Sequence, residues 1–249
     1  MSPLSFALLG SGEFEAWTEE ADRWLLERAV ACGAGDGRVL ILPAASAPEG
    51  DQVFDRWADM GMTHYRALGI PAVVVPIKNR GDADRPELVG KLEGASMAFF
   101  SGGNPGYMAD VLTGSAFWKA LLQAMKRGVA YAGCSAGIAC LGEVAPDSAA
   151  RSFGQNSWKP GLRLFPKMFF GPHWDALDTF VPGLKNIIVA SVPADCRLLA
   201  IDERTAVVGD GSEWRVIGLG AAHLLQDGTW KDFPSGERFE ETLGASTAS

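Results

Sequence analysis

Five short apolar runs, spaced widely along the first half of the chain, constrain the fold more than any other feature. They are Leu4–Gly10, Arg38–Pro43, Ala72–Ile77, Ser96–Phe100 and Val129–Ala132. None alternates polar with apolar residues, so each reads as a strand covered on both faces. The connectors are about 20 residues or longer, enough for a crossover and far too long for tight hairpins, which implies parallel pairing. Those connectors carry helical patterns. Glu15–Cys32 places Trp17, Ala21, Trp24 and Leu25 at helical spacing and stops at Gly33 and Gly35. Asp51–Leu68 is closed by Gly69 and Pro71, and Pro86–Leu92 opens with proline in its first turn. Tyr107–Arg127 reads as two helical pieces broken near Gly114, and Asn79–Asp84 as a polar turn. The expected class is α/β, a mostly parallel sheet with helices on both faces. In such sheets ligands bind at the carboxyl ends of the strands.

The second half has another texture. Ala145–Lys167 reads as an extended loop with one short strand, and Met168–Gly171 as a brief strand delivering Pro172-His173-Trp174-Asp175. Asp175–Val192 is interrupted by Pro182 and Gly183. Leu198–Ile201, Thr205–Val208, Trp214–Gly218 and Ala222–Leu225 are short strands between Gly-rich turns, which predicts antiparallel edge strands in this half. No repeat or linker divides the 249 residues, so a single domain is expected, with a frayed tail from Leu243. A chain that is 47% hydrophobic and 21% charged suits a sizeable buried core. Its net charge of −8 argues against nucleic acid as a partner, which requires a basic face. No run reaches the length of a membrane span, and Met1-Ser2-Pro3-Leu4 lacks a basic, apolar leader, so no membrane and a cytoplasmic setting are expected. Cys32, Cys134, Cys140 and Cys196 show no ligand spacing; no metal site is expected, and they read as small apolar residues.

Chemistry concentrates at Gly133-Cys134-Ser135-Ala136-Gly137, between the Val129–Ala132 strand and an Ala/Ile/Leu segment of helical character. Strand, sharp turn and helix are the context in which G-x-S-x-G presents an exposed serine on a strained turn. The flanking glycines favour Ser135 over Cys134 as the nucleophile. A serine needs a base, itself oriented by a third group. His173, at a strand end, is the candidate base. His64 reads as a surface residue of a helix, and His223 as an edge-strand residue. Asp147 is the candidate acid because it lies between nucleophile and base. Glu143 reads as turned away on the elbow helix, and Asp175 and Asp178 as too near His173 to orient it. Ala136 N–H supplies one oxyanion donor, and Gly102 or Gly103 the second. Asn104 is a further donor or positions substrate, and the basic residues Arg151, Lys159, Arg163 and Lys167 suit a substrate carboxylate.

These residues form a series: Asn79-Arg80-Gly81-Asp82-Ala83-Asp84, Phe100-Ser101-Gly102-Gly103-Asn104-Pro105-Gly106-Tyr107, the elbow, Pro172-His173-Trp174-Asp175 and Ile201-Asp202-Glu203-Arg204-Thr205-Ala206. From Leu4 to Leu225 the chain resembles the dipeptidase E / cyanophycinase family of serine peptidases. The resemblance implies a fold like that of class I glutamine amidotransferases (flavodoxin-like), no cofactor, short peptides as substrates, and frequent homodimers. It also implies Ser135 as nucleophile, His173 as base, and Gly103 with Ala136 as oxyanion donors. Gly-Pro-His precedes the base where cyanophycinases carry Asp-Gln-His, so cyanophycin is not the expected substrate. Two rival readings stand beside this one. One is an α/β-hydrolase esterase using Ser135, Asp202 and His223; the other is a catalytically silent binding protein on the same scaffold.

Overall fold

The structure, a computed structural model, describes residues 4–148 and 157–247. Its strands are β1 (Phe6–Leu9), β2 (Arg38–Leu42), β3 (Ala72–Val74), β4 (Ala95–Phe100), β5 (Ala130–Cys134), β6 (Val144–Pro146) and β7 (Trp158–Pro160). They continue with β8 (Met168–Gly171), β9 (Arg197–Ile201), β10 (Thr205–Gly209), β11 (Glu213–Gly218), β12 (Ala221–Gln226), β13 (Thr229–Pro234) and β14 (Arg238–Glu240). The main sheet runs β14-β11-β10-β1-β5-β4-β2-β3. Its β1, β5, β4, β2 and β3 are mutually parallel, whereas β10, β11 and β14 add antiparallel strands at one edge. The expected α/β architecture with antiparallel strands in the second half is therefore what the chain adopts. The central strands β1, β5 and β4 are buried end to end and β2 is buried after Arg38, with Phe6, Leu8, Leu40, Phe99 and Tyr131 at 0–1% exposure, which is why they carry no polar alternation. The edge strand β3 is half-buried.

The late strands do not all join one edge. β9 and β12 leave the main sheet to form a second sheet, β13-β12-β9-β8, in which β8 and β9 are parallel. Where Ala145–Lys167 was expected as a loop with one short strand, two strands form: β6, which begins at Val144, and β7 pair antiparallel. Asn79–Asp84 is a capped helical turn rather than a plain turn: Arg80–Ala83 is helical, with Asn79 and Asp82 satisfying each other's backbone N–H groups. β13 and β14 had no counterpart among the expected strands, because their residues are largely exposed and polar. The described part of the tail, up to residue 247, is packed where a frayed end was expected: Leu243 is buried and Ser246 N–H donates to Leu164 O.

Helix boundaries follow local chemistry. Asn104 caps Pro105–Leu112 by accepting from Tyr107 N–H, and Ser115 caps Ala116–Lys126 by accepting from Trp118 N–H. Between them Gly114 takes a left-handed conformation, which accounts for the break. His64, expected on a surface, is buried between the helices Glu19–Ala31 and Asp51–Ala67. There its Nε2 lies 2.8 Å from Asp22 Oδ2, and Tyr65 Oη donates to the same carboxylate. The reason is helical phase: Phe54, Ala58, Gly61 and Tyr65 face the sheet, and His64 borders that stripe. No helix among the described residues is long and apolar enough to cross a membrane.

Candidate active site

Register brings three loops to one point. Leu9 pairs with Cys134 and Phe100 with Gly133, so β1, β5 and β4 end level and side by side. The segments leaving them carry Glu13, Ser135 and Gly102–Asn104. In the second sheet Gly171 pairs with Ala200, so the turns after β8 and β9 also emerge together, bearing His173 and Glu203.

Ser135 has φ 52° and ψ −109°, a left-handed backbone that a non-glycine residue holds only under tertiary constraint. Its N–H donates to Leu9 O, and its carbonyl accepts from Ile138 and Ala139. The glycines on either side are required by contact. A Cβ on Gly133 would stand 2.4 Å from Gly137 O, and one on Gly137 2.3 Å from Phe100 O. Three neighbours of the site share positive φ: Phe14 at 65°, His173 at 55° and Arg204 at 49°. Strain of this kind is held by surrounding structure and collects at functional sites.

His173 Nε2 lies 2.8 Å from Ser135 Oγ, and its Nδ1 lies 3.1 Å from Glu203 Oε1. Trp174 N–H fixes the segment by donating to Ile201 O. The turn carrying Glu203 is pinned on both sides: Glu203 N–H donates to Asp175 Oδ1, and Arg204 N–H to Ser11 Oγ. Arg204 Nε also pairs with Glu15 Oε2 at 3.1 Å. The arrangement is a hydroxyl, an imidazole and a carboxylate in series, the geometry that activates a serine.

Asp147 does not stand at His173. Its carboxylate accepts from Asn104 Nδ2 at 2.9 Å and lies 3.3 Å from Lys159 Nζ, because the β6–β7 hairpin turns it toward the Pro105–Leu112 helix. Glu203 was missed because it lies 30 residues beyond the histidine, in a turn after a different strand, while Asp147 was favoured for its place between nucleophile and base. The signal was present in the short acidic turn Asp202-Glu203-Arg204 between two buried strands.

Gly103 and Ala136 leave their N–H groups without a partner among the described residues, while Gly102 N–H is taken by Glu13 Oε1 at 2.9 Å. Gly103, at φ 138°, packs against Ala45, where a Cβ would come within 2.3 Å of backbone carbon. Asn104 is used at both ends of its amide, as a helix cap and as a donor to Asp147, so it braces the loop rather than offering a free donor. Arg163 pairs with Glu143 and Lys167 with Asp195, while Lys159 bridges Asp110 and Asp147. Arg163 lines a cleft with Trp118 and Leu162, away from Ser135. Arg151 lies outside the described residues.

The serine opens into a cavity of about 300 Å³ lined by Glu13, Glu15, Trp57, Met60 and Gly103, at the lower end of ligand-pocket sizes. Cys134, beside Ser135, is fully buried, and burial together with the Glu13 carboxylate pushes its thiol well above the usual range. It remains a protonated donor rather than a nucleophile. No group of His, Cys, Asp and Glu among the described residues is arranged to hold a metal ion.

The esterase constellation is not assembled. His223 sits between Asp202 Oδ1 at 3.2 Å and Asp232 Oδ1 at 2.8 Å, on the second sheet, with both ring nitrogens occupied and none facing Ser135. His223→Ala is therefore expected to leave peptide hydrolysis within about threefold of the parent, a change too small for a lost catalytic base. Steady-state rates for this variant check it.

Comparison with known proteins bears on the family and the fold. The family model for peptidase family S51 matches residues 6–217. A crystal structure of a peptidase from an acI-B1 Actinobacterium superposes with a TM-score of 0.86 at 28% identity, covering 96% of this chain and 97% of that one. A putative peptidase E protein from Listeria monocytogenes EGD-e shares the fold, with a TM-score of 0.61 at 17% identity, covering 88% of this chain and 100% of that one. A comparison with curated proteins finds no match.

Proposed function

The chain belongs to peptidase family S51 and is a serine peptidase, and from that premise we propose that it is an exopeptidase removing residues from the amino end of short peptides, with Ser135, His173 and Glu203 as its triad. The single observation that carries the proposal is the continuous series Ser135 Oγ, His173 Nε2, His173 Nδ1 and Glu203 Oε1, at 2.8 and 3.1 Å.

In this reading His173 Nε2 takes the hydroxyl proton as Ser135 Oγ attacks the scissile carbonyl. The carbonyl oxygen becomes an oxyanion held by Gly103 and Ala136 N–H groups. His173 then passes the proton to the leaving amine as the C–N bond breaks, leaving an acyl-enzyme. Water, deprotonated by His173, attacks the ester carbonyl; Ser135 leaves with that proton and the acid product departs. Glu203 holds the imidazole with its proton on Nδ1, so that Nε2 begins as the acceptor.

The cavity's size and charge support action at a peptide's amino end. Among the described residues its lining bears two carboxylates, Glu13 and Glu15, and no lysine or arginine. Glu13 spends both oxygens on Gly102 N–H and the Cys134 thiol. The carboxylate that suits a free α-ammonium group is therefore Glu15, whose Oε2 pairs with Arg204, and Trp57 and Met60 suit a neutral side chain. An aspartyl side chain is disfavoured there. A panel of Leu-Gly, Asp-Gly and N-acetyl-Leu-Gly tests this. Leu-Gly is expected to be cleaved best, with acetylation lowering kcat/KM by about tenfold or more, the worth of one charge-assisted contact. Equal cleavage of the acetylated peptide, or preference for Asp-Gly, overturns the assignment of the amino end and of the first residue respectively.

A further inference from the structure

The proton transfers leave one buried acid beside the reacting centre without a part. Glu13 is 5% exposed, yet it lines the cavity into which Ser135 opens. Its two oxygens reach different elements. Oε1 accepts from Gly102 N–H at 2.9 Å, and Oε2 accepts from the Cys134 thiol at 2.9 Å. Gly102 precedes Gly103 on the loop after β4, and Cys134 precedes Ser135 at the end of β5. Each bond thus falls one residue before a group assigned to catalysis.

We propose that Glu13 is a positioning residue, a carboxylate clamp that sets the spacing between the two halves of the oxyanion hole. The proposal rests on the reading of Ser135 as nucleophile with Gly103 and Ala136 as donors. Parallel pairing fixes β4 and β5 only as far as Phe100 and Gly133. Beyond that point the two donors sit on separate turns, and an oxyanion hole requires both N–H groups to converge within tenths of an ångström. Among the described residues, Glu13 is the side chain bonded to both turns. The three parts meet closely: a Cβ built on Gly102 would lie 3.3 Å from Glu13 Oε1 and 3.5 Å from Ser135 Cβ.

Glu13 is itself held. Phe14, the next residue, is in the left-handed region, and its ring packs 4.7 Å from that of Phe99 on β4. On its far side the Gly103 loop is anchored by Asn104 N–H donating to Ala45 O at 2.8 Å. The clamp also fixes which amide serves the oxyanion. Gly102 N–H, a candidate by sequence, is consumed by Glu13, so the donor falls to Gly103. A carboxylate this near a developing oxyanion opposes it electrostatically. Its contribution is therefore one of geometry, most of which a glutamine can replace, its Oε1 accepting from Gly102 N–H and its Nε2 donating to the Cys134 sulfur. That separates the proposal from any role as general acid or base.

The test uses the full chain, peptide turnover, and the rate of labelling by a fluorophosphonate, whose phosphoryl oxygen occupies the oxyanion position. Glu13→Ala is expected to lower kcat by about ten- to a hundredfold with KM within about twofold, since the donors matter only in the transition state. Labelling should slow in parallel, and Glu13→Gln should restore most of the loss. An unchanged kcat in Glu13→Ala, a loss confined to KM, or a Gln variant no better than Ala overturns the clamp. Cys134→Ala and Cys134→Ser supply a second arm independent of whether Glu13→Ala folds. The alanine variant, lacking one donor to Glu13, should label about threefold more slowly than the serine variant, which keeps it; equal rates overturn the proposal. If the parent protein is not labelled at all, the nucleophile assignment falls and the clamp with it. If the parent labels and cleaves normally and Glu13→Ala matches it, only the clamp falls.

Discussion

Replacing Ser135 by alanine is expected to lower kcat/KM for short peptides by about 10⁴-fold or more, and to leave the thermal unfolding midpoint within a few degrees of the parent. A factor of 10⁴ corresponds to about 5.5 kcal/mol of lost transition-state stabilisation. The structure separates that loss from the fold. Alanine keeps the Cβ, so the strain of a positive φ is the same in both proteins. What disappears is Oγ, whose hydrogen-bond partner is His173 Nε2. The elbow itself is held by backbone bonds from Leu9, Ile138 and Ala139, none of which involves the hydroxyl. Release of free amine from a dipeptide, measured beside a thermal melt, checks both halves. Turnover within tenfold of the parent, in a protein that melts normally, would remove Ser135 as nucleophile. Lost turnover with a collapsed melt would show only that the turn needs serine for structure.

How much of this site was legible before the structure depended on whether the signal was local. The elbow was readable because its requirement is steric and falls within five residues: Gly133 and Gly137 lie against backbone on either side of Ser135. The buried parallel strands were readable because burial on both faces removes polar alternation. His173 was readable as the histidine at the end of an apolar strand, even though its distance to Ser135 is set by two sheets that no local pattern describes. Glu203 and Glu13 were not found, for a common reason. Each acts through a side chain that crosses between loops, over 30 residues to His173 and over 89 and 121 residues to Gly102 and Cys134. Charged residues in turns ordinarily face solvent, so burial and register had to be known before either carboxylate stood out. His64 failed in the opposite direction: it borders a buried helical stripe and is covered by packing between two helices.

The two carboxylates in contention for the triad make opposite predictions, and isosteric amides separate them. Glu203→Gln is expected to lower kcat by about 10²- to 10³-fold with little change in KM, whereas Asp147→Asn should stay within about threefold of the parent. At Glu203 the argument is one of tautomer. The carboxylate can only accept, so it requires the imidazole proton on Nδ1 and leaves Nε2 free to take the proton of Ser135. A glutamine can donate through Nε2 instead, stabilising the imidazole with its proton on the wrong nitrogen. It also withdraws the charge that steadies the imidazolium during attack. That second loss is moderated because the Glu203 side chain is 40% exposed and water screens part of the charge, which places the expected fall below that of a fully buried acid. Asp147 offers neither effect, because its carboxylate is engaged by the Asn104 amide and the Lys159 ammonium group. Its amide would weaken the ion pair with Lys159 and disturb the brace behind Asn104 without touching the imidazole. Glu203→Asp refines the comparison. It preserves charge and acceptor while shortening the reach by one methylene, so it should recover part of what glutamine loses. If Asp147→Asn falls a hundredfold and Glu203→Gln does not, the acid lies between nucleophile and base in the chain after all, and the 3.1 Å contact at Nδ1 is incidental.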